Sequence, residues 1–280
     1  MESGRLGKRT LGFVAKILLA LLLIIEVYPL LWIILSSLKS PAEFTMRPMY
    51  DLPLGFYWNN FVQAWSGGMS TYFRNSALVT FPSLVVSILL SSAAAFGIEK
   101  MQWKWNNRIL LLFLGGIMIP VPMVLLPLFA IFLKVNLINN LWGLIIAYTA
   151  FGIPLQVFFF SGYFKAMPNE LMESAVLDGA NIYQIFYRIA LPMIRNSLVT
   201  IGLVQFFFTW NDLILSMTFI SSNSLRTIQT GLINFQGEYG QTEWGPTFAS
   251  IAMAVIPTLL IYLFLNKSVM KGLTSGAVKG

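Results

Sequence analysis

Apolar residues fall into long runs along this chain, and polar ones gather in the stretches between them. A bilayer core takes roughly 20 residues of apolar helix to cross. Six segments reach that length, at about 12–35, 75–98, 108–133, 141–164, 196–220 and 247–266. Backbone in lipid must satisfy its own hydrogen bonds, so the pattern predicts an all-α, polytopic membrane protein. It would be one domain over 1–280 with six transmembrane helices, joined by long connections at 36–74, 165–195 and 221–246. The first run exceeds the roughly 7–15 residues of a signal-peptide core and no A-x-A site follows it, so it is expected to remain as a span.

The runs differ in texture. The second carries Ser91, Ser92, Ala93, Ala94, Ala95 and Gly97, small residues that let a neighbouring helix come close. The third holds Gly115, Gly116, Pro120, Pro122 and Pro127, which predict a kinked or broken helix. Connection 36–74 is expected to contain a short interfacial helix. Tyr28, Trp103, Trp105, Trp142, Tyr148 and Tyr163 near the span ends read as interface anchors.

Connection 165–195 breaks the pattern, being amphipathic and charged. Asn169 is expected to cap a first short helix, with Glu170 and Glu173 near its positive end. That helix should stop at Asp178-Gly179, where glycine takes the left-handed conformation of a helix end. Asn181 and Gln184 then form a capping-box pair. Ile182, Ile185, Phe186 and Ile189 give the second helix an apolar face, and Pro192 follows.

Composition narrows the class. Hydrophobic residues make up 57% and charged residues 10% of 280 positions, with no cysteine and no histidine. A soluble domain could not bury that much apolar surface. Disulfides and thiol chemistry are excluded, and so is the commonest general base and metal ligand. No G-x-x-x-x-G-K-[ST] phosphate loop is present, so the chain cannot bind ATP by that device, and if ATP drives it the ATPase must be another chain. The net charge of +7 does not call for nucleic acid. With the N-terminus inside, 13 of the 18 basic residues fall on the inner side, which puts both termini and connection 165–195 in the cytoplasm.

Two polar spots lie within predicted spans. Glu26 sits mid-way along the first, where a carboxylate costs about 2.5–3.5 kcal/mol and needs a partner, a water cavity or a proton. Gln205, Thr209 and Asp212 recur at i, i+4, i+7 in the fifth and should share one helix face beside Trp210 and Asn211. Such a stripe suits a water-filled path, and the Trp210 ring could stack on a sugar.

Glu173-Ser174-Ala175, Asp178-Gly179-Ala180 and Ile189-Ala190-Leu191-Pro192 resemble the EAA loop of ABC-importer permeases, with Ser174 in place of the first alanine. Trp210-Asn211-Asp212 resembles a WN[DE] motif of sugar permeases. Tyr28–Phe44, Thr227–Gly245 and the closing GLTSGAVKG resemble the carbohydrate branch, within it the maltose-G-type subunit. The resemblance implies a sugar-importer permease that binds no cofactor itself. A homologous second permease, two copies of a cytoplasmic ATPase binding ATP and magnesium, an external sugar-binding protein and membrane lipid would be its partners. Glu173, Ser174, Ala175, Asp178, Gly179, Ala180, Ile189, Leu191 and Pro192 would then couple to the ATPase, with the tail residues Thr274, Ser275, Gly276 and Lys279 reaching it too. Outside, Asn234, Phe235, Gln236, Gly237, Glu238, Tyr239, Gly240 and Gln241 would meet the binding protein. The polar stripe either lines the path or locks the two permease halves together, and Glu26 either lines it or bonds another span. A glycerol-phosphate-type solute, or an ion-coupled carrier using Glu26 or Asp212, stays open as an alternative.

Overall fold

The structure, a computed structural model, describes residues 3–101, 103–233 and 242–277. Every regular element among them is helical. In chain order these are α1 (Ser3–Ser36), α2 (Pro41–Met46), α3 (Asn59–Ala64), α4 (Ser70–Lys100), α5 (Asn106–Ile117), α6 (Val121–Lys134) and α7 (Leu141–Lys165). Then come α8 (Glu170–Leu177), α9 (Ile182–Ile185), α10 (Leu191–Met193), α11 (Arg195–Trp210), α12 (Ile214–Phe219), α13 (Ile228–Leu232) and α14 (Trp244–Ala277). Among the described residues, four stretches are long and apolar enough to cross a membrane: Gly12–Ser36, Asn59–Lys100, Leu141–Lys165 and Trp244–Leu265. Two bent pairs, α5 with α6 and Ile182–Met193 with α11, bring the number to six if each counts as one crossing.

The third run does break. α5 and α6 meet at 98° across Met118–Pro120, where Pro120 cannot donate to a helical ladder and Pro122 fits the first turn of the next helix. The fifth run also breaks, contrary to the expected continuous span: α11 ends at Trp210 and α12 begins at Ile214.

The chain divides into two compact units, Met1–Met69 with Asn234–Val255, and Ser70–Ile233 with Ile256–Gly280. In the first, connection 36–74 folds further than a single interfacial helix. The Glu43 carboxylate accepts the Ser40 N–H, the Ser40 hydroxyl and the Leu54 N–H, each at 2.8 Å. Asn60, fully buried, donates to the Ser37 and Lys39 carbonyls at 2.8 Å. Phe248 at the start of α14 meets Trp32 edge-on at 5.1 Å and stacks with Phe44 at 5.9 Å.

The second unit is built on α4 against α7. Ser91, Ser92 and Ala95 of the small-residue stripe are fully buried there, and Gln156 of α7 donates to Ser87 of α4 at 3.0 Å. Near one end of this pair, Phe96 lies 5.6 Å from Phe164 and 5.2 Å from Phe186, inside a cluster with Ile185 and Ala190. A second cluster joins Val79, Leu144, Tyr148, Leu215 and Phe219. Asn139 closes it: its N–H donates to the Phe219 carbonyl at 2.7 Å, and its side-chain oxygen accepts the Ser222 N–H at 2.9 Å.

Candidate coupling loop and intramembrane polar site

Connection 165–195 folds as two short arms around one turn. α8 carries Glu170 and Glu173 in its first turn, as expected, and stops at Asp178. Gly179 has φ +81°. Its N–H donates to the Val176 carbonyl at 3.0 Å and the Ala180 N–H to the Ala175 carbonyl at 2.9 Å, the paired bonds of a Schellman motif. The second arm opens with a reciprocal cap: Asn181 accepts the Gln184 N–H at 3.0 Å, and Gln184 accepts the Asn181 N–H at 2.9 Å. One π turn over Phe186–Ala190 leads through α10 to the bend into α11.

One expectation fails here. Asn169 makes no cap bond to α8; its side-chain oxygen accepts the Lys100 ammonium at 2.7 Å. A charge-assisted hydrogen bond is stronger than the neutral cap it replaces.

The loop has an anchored side and an open side. Ala175, Ile185, Phe186 and Ala190 are buried, Ile189 and Leu191 partly so, while Glu173, Ser174, Asp178, Gly179 and Pro192 are exposed. The large apolar residues at the turn are exposed as well: Leu177 is 87%, Tyr183 73% and Val176 59% accessible. Ile182, expected on the packed face, is exposed too.

The polar stripe is corrected in form. Gln205 and Thr209 are buried on α11, but Asp212 lies beyond its end. Asp212 Oδ2 accepts the Tyr148 hydroxyl at 2.8 Å and the Ser216 N–H at 3.1 Å. The acid starts α12 rather than continuing α11, because a short carboxylate competes for free backbone N–H groups and so favours a cap. The three residues still converge. Gln205, Thr209 and Asp212 line one cavity of about 310 Å³ with Tyr148, Gly152, Phe151 and the α5–α6 break. Gln205 approaches Gly152 so closely that a Cβ there would lie 2.7 Å from its amide nitrogen and the end of the Gln205 side chain would have to shift.

Trp210 does not offer its ring to that cavity. It is buried, stacked on Phe206 at 5.3 Å with Phe73 edge-on at 6.0 Å. Asn211 caps α11 and accepts from Gln229 at 3.3 Å. Glu26 is exposed on α1 and has no hydrogen-bond partner among the described residues. Thr274, Ser275 and Gly276 lie in the last turns of α14, which runs past the expected end of the sixth span. Lys279 and the segment Asn234–Gln241 lie outside the described residues. Sequence reasoning missed two groups. Tyr148, read as an interface anchor, is buried two turns into α7, a depth that could have flagged it. Lys100 was counted only as a charge.

The family model for the binding-protein-dependent transport system inner membrane component matches residues 51–274. The chain belongs to that family. This permease is 36% identical over 94% of its length to the probable ABC transporter permease protein YurM of Bacillus subtilis (strain 168), covering 87% of that protein. It is 32% identical to the arabinooligosaccharides transport system permease protein AraQ of Halalkalibacterium halodurans, covering 97% of this chain and 95% of the relative. The trehalose/maltose transport system permease protein MalG of Thermococcus litoralis is 28% identical, with 98% of each chain covered. The crystal structure of a bacterial ABC transporter involved in the import of the acidic polysaccharide alginate shares the fold, at a TM-score of 0.82 and 20% identity. That match covers 92% of this chain and 96% of the other. The permease is therefore a multi-pass membrane component of a transport system and not an enzyme. ATP is handled by a partner ATPase, and substrate delivery falls to a binding protein.

Proposed function

We propose that this permease forms half of the translocation path of an ATP-driven sugar importer, with an oligosaccharide as the substrate. Several relatives carry transport names of that class: arabinooligosaccharides, diacetylchitobiose, and trehalose/maltose. Six spans with both termini in the cytoplasm fit the distribution of 13 of the 18 basic residues. A homologous permease completes the path, two ATPase copies dock inside and a sugar-binding protein docks outside. In this reading Asn234–Gln241 meets the binding protein, and Thr274, Ser275, Gly276 and Lys279 reach the ATPase. Gln205, Thr209 and Asp212, with Tyr148, supply polar groups to the path.

The observation that carries the reading is the turn between α8 and α9. Leu177, Val176 and Tyr183 stand exposed beside Gly179, while Ile185 and Phe186 anchor the same loop to Phe96 and Phe164. Exposed apolar side chains on a firmly anchored turn suit insertion into a cleft of a partner. Glu173, Ser174, Ala175, Asp178, Gly179 and Ala180 frame that insert, and Ile189, Leu191 and Pro192 lead its motion to the bend before α11. ATP binding would close the ATPase dimer, carry the turns of both permeases together and open the path outward.

The test is uptake by the assembled importer in proteoliposomes, with its binding protein and a panel of di- and oligosaccharides. Accumulation that needs internal ATP and the binding protein is expected. Accumulation driven by an ion gradient without ATP would overturn the reading.

A further inference from the structure

Lys100 ends α4, and its ammonium reaches away from that helix. It donates to the Met167 carbonyl at 2.6 Å and to the Asn169 side-chain oxygen at 2.7 Å. Met167 lies just past the end of α7, where carbonyls lack helical partners and the helix dipole is negative. Asn169 stands immediately before α8. One cation therefore fastens three elements: α4, the end of α7 and the start of α8.

The two arms of the coupling loop are held differently. The second arm is gripped through Ile185, Phe186 and Ala190 in the apolar cluster with Phe96, one turn before Lys100 on α4. α8 buries only Ala175, with Met172 half-buried against the same cluster. One small buried side chain and one half-buried one hold an arm less firmly than three buried ones, whereas a charge-assisted hydrogen bond is about twice as strong as a neutral one. The arm that ends in exposed Leu177 thus depends on Lys100 for its connection to the span.

We propose that Lys100 is a positioning residue of the coupling loop, the strut that makes α8 move with α4 rather than pivot on its apolar contacts. This rests on the reading of the α8–α9 turn as the ATPase-docking element. A push on Leu177 and Gly179 reaches α4 through the ammonium and, with it, α7. Without the ammonium, hydrolysis proceeds but part of the displacement is lost as rotation of α8.

The experiment measures sugar uptake per ATP hydrolysed in proteoliposomes holding the full importer, alongside the amount of ATPase subunit that copurifies. Lys100→Met should leave copurification at the wild-type level and lower uptake per ATP by about tenfold, the scale of one or two charge-assisted hydrogen bonds. Lys100→Arg, whose planar fork presents several donors, should recover the ratio to within about twofold. If Lys100→Met does not assemble, Asn169→Ala tests the same strut from an exposed position, removing one of its two acceptors, and should lower the ratio about threefold. A wild-type ratio in Lys100→Met, or in Asn169→Ala where it stands in, overturns the strut. Gly179→Val separates the two levels. If it uncouples while the strut variants do not, only the strut is wrong. If it too keeps the wild-type ratio, the docking reading falls with it.

Discussion

The α8–α9 turn and the α11–α12 junction solve the same local problem in different surroundings. Each ends one helix and starts another within a few residues, and each uses a short polar side chain to cap the second helix. At α8–α9 the devices are sequential: Asp178, Gly179 at φ +81°, Asn181 and Gln184. Every hydrogen bond of that turn closes within about five residues. At α11–α12 no glycine marks the break, and the cap is shared with a residue 64 positions away, Tyr148. A break exposed to water can be completed by its own neighbours. A break packed among other helices must find partners on another helix, because an unpaired buried polar group is costly.

The sharpest way to break this comparison is to make the exposed α8–α9 turn hostile to a partner. Leu177→Asp places a charge on an 87% exposed apolar side chain, so folding and membrane insertion should be unaffected. Copurification of the ATPase should fall more than tenfold, the mark of an interface anchor contributing about 2 kcal/mol or more. Unchanged copurification would show that the turn is not inserted anywhere.

The next effect belongs to the buried junction. Asp212→Leu strands the Tyr148 hydroxyl and the Ser216 N–H, and should cost about 1–3 kcal/mol of stability in detergent. Asp212→Asn keeps an acceptor for both and should cost less than half of that. Equal thermal shifts for the two variants would mean the carboxylate matters for its charge and not as a cap.

Asn181→Ala removes a cap that only its own turn uses. It should cost about 1 kcal/mol, with the loss confined to α9 in amide hydrogen exchange. Loss of protection in α11 would show that the two breaks are coupled.

The smallest effect is expected where a polar frame lies outside the spans. Burial pushes the Glu43 carboxyl up. The Leu54 and Ser40 N–H groups, the Ser40 hydroxyl and the Arg47 charge outweigh it and hold its pKa below the ordinary 4.5. Its ionised form therefore contributes stability above that value, and the contribution is lost as pH falls through the lower folded pKa. Between about pH 5 and pH 3 the native protein should lose more thermal stability than Glu43→Gln. Parallel melting curves for the two would remove Glu43 from the frame.

These contrasts mark how far the sequence could be read. The long runs of the first, second, fourth and sixth spans needed only length and hydropathy, and α7 at Leu141–Lys165 falls within a residue of its expected limits. The Schellman turn and the Asn181–Gln184 cap were legible because both are written within a few residues. Asn169 was misread because its winning partner, Lys100, is 69 residues away. The polar stripe was misread for a similar reason. Spacing places Gln205, Thr209 and Asp212 on one ideal helix, and nothing local announces that Asp212 will cap α12.

By itself the sequence determined that this is an all-helical membrane permease with an amphipathic loop of two short arms. Hydrophobic run length, capping chemistry and glycine conformation act over distances of a few residues. Tertiary structure alone decided where the fifth span breaks, that Tyr148 meets Asp212, that Trp210 turns into a stack of rings, and that Lys100 holds the first arm. Each of these depends on which helices come to lie against one another, and the energies that choose among candidate partners are properties of packed pairs rather than of any stretch of chain.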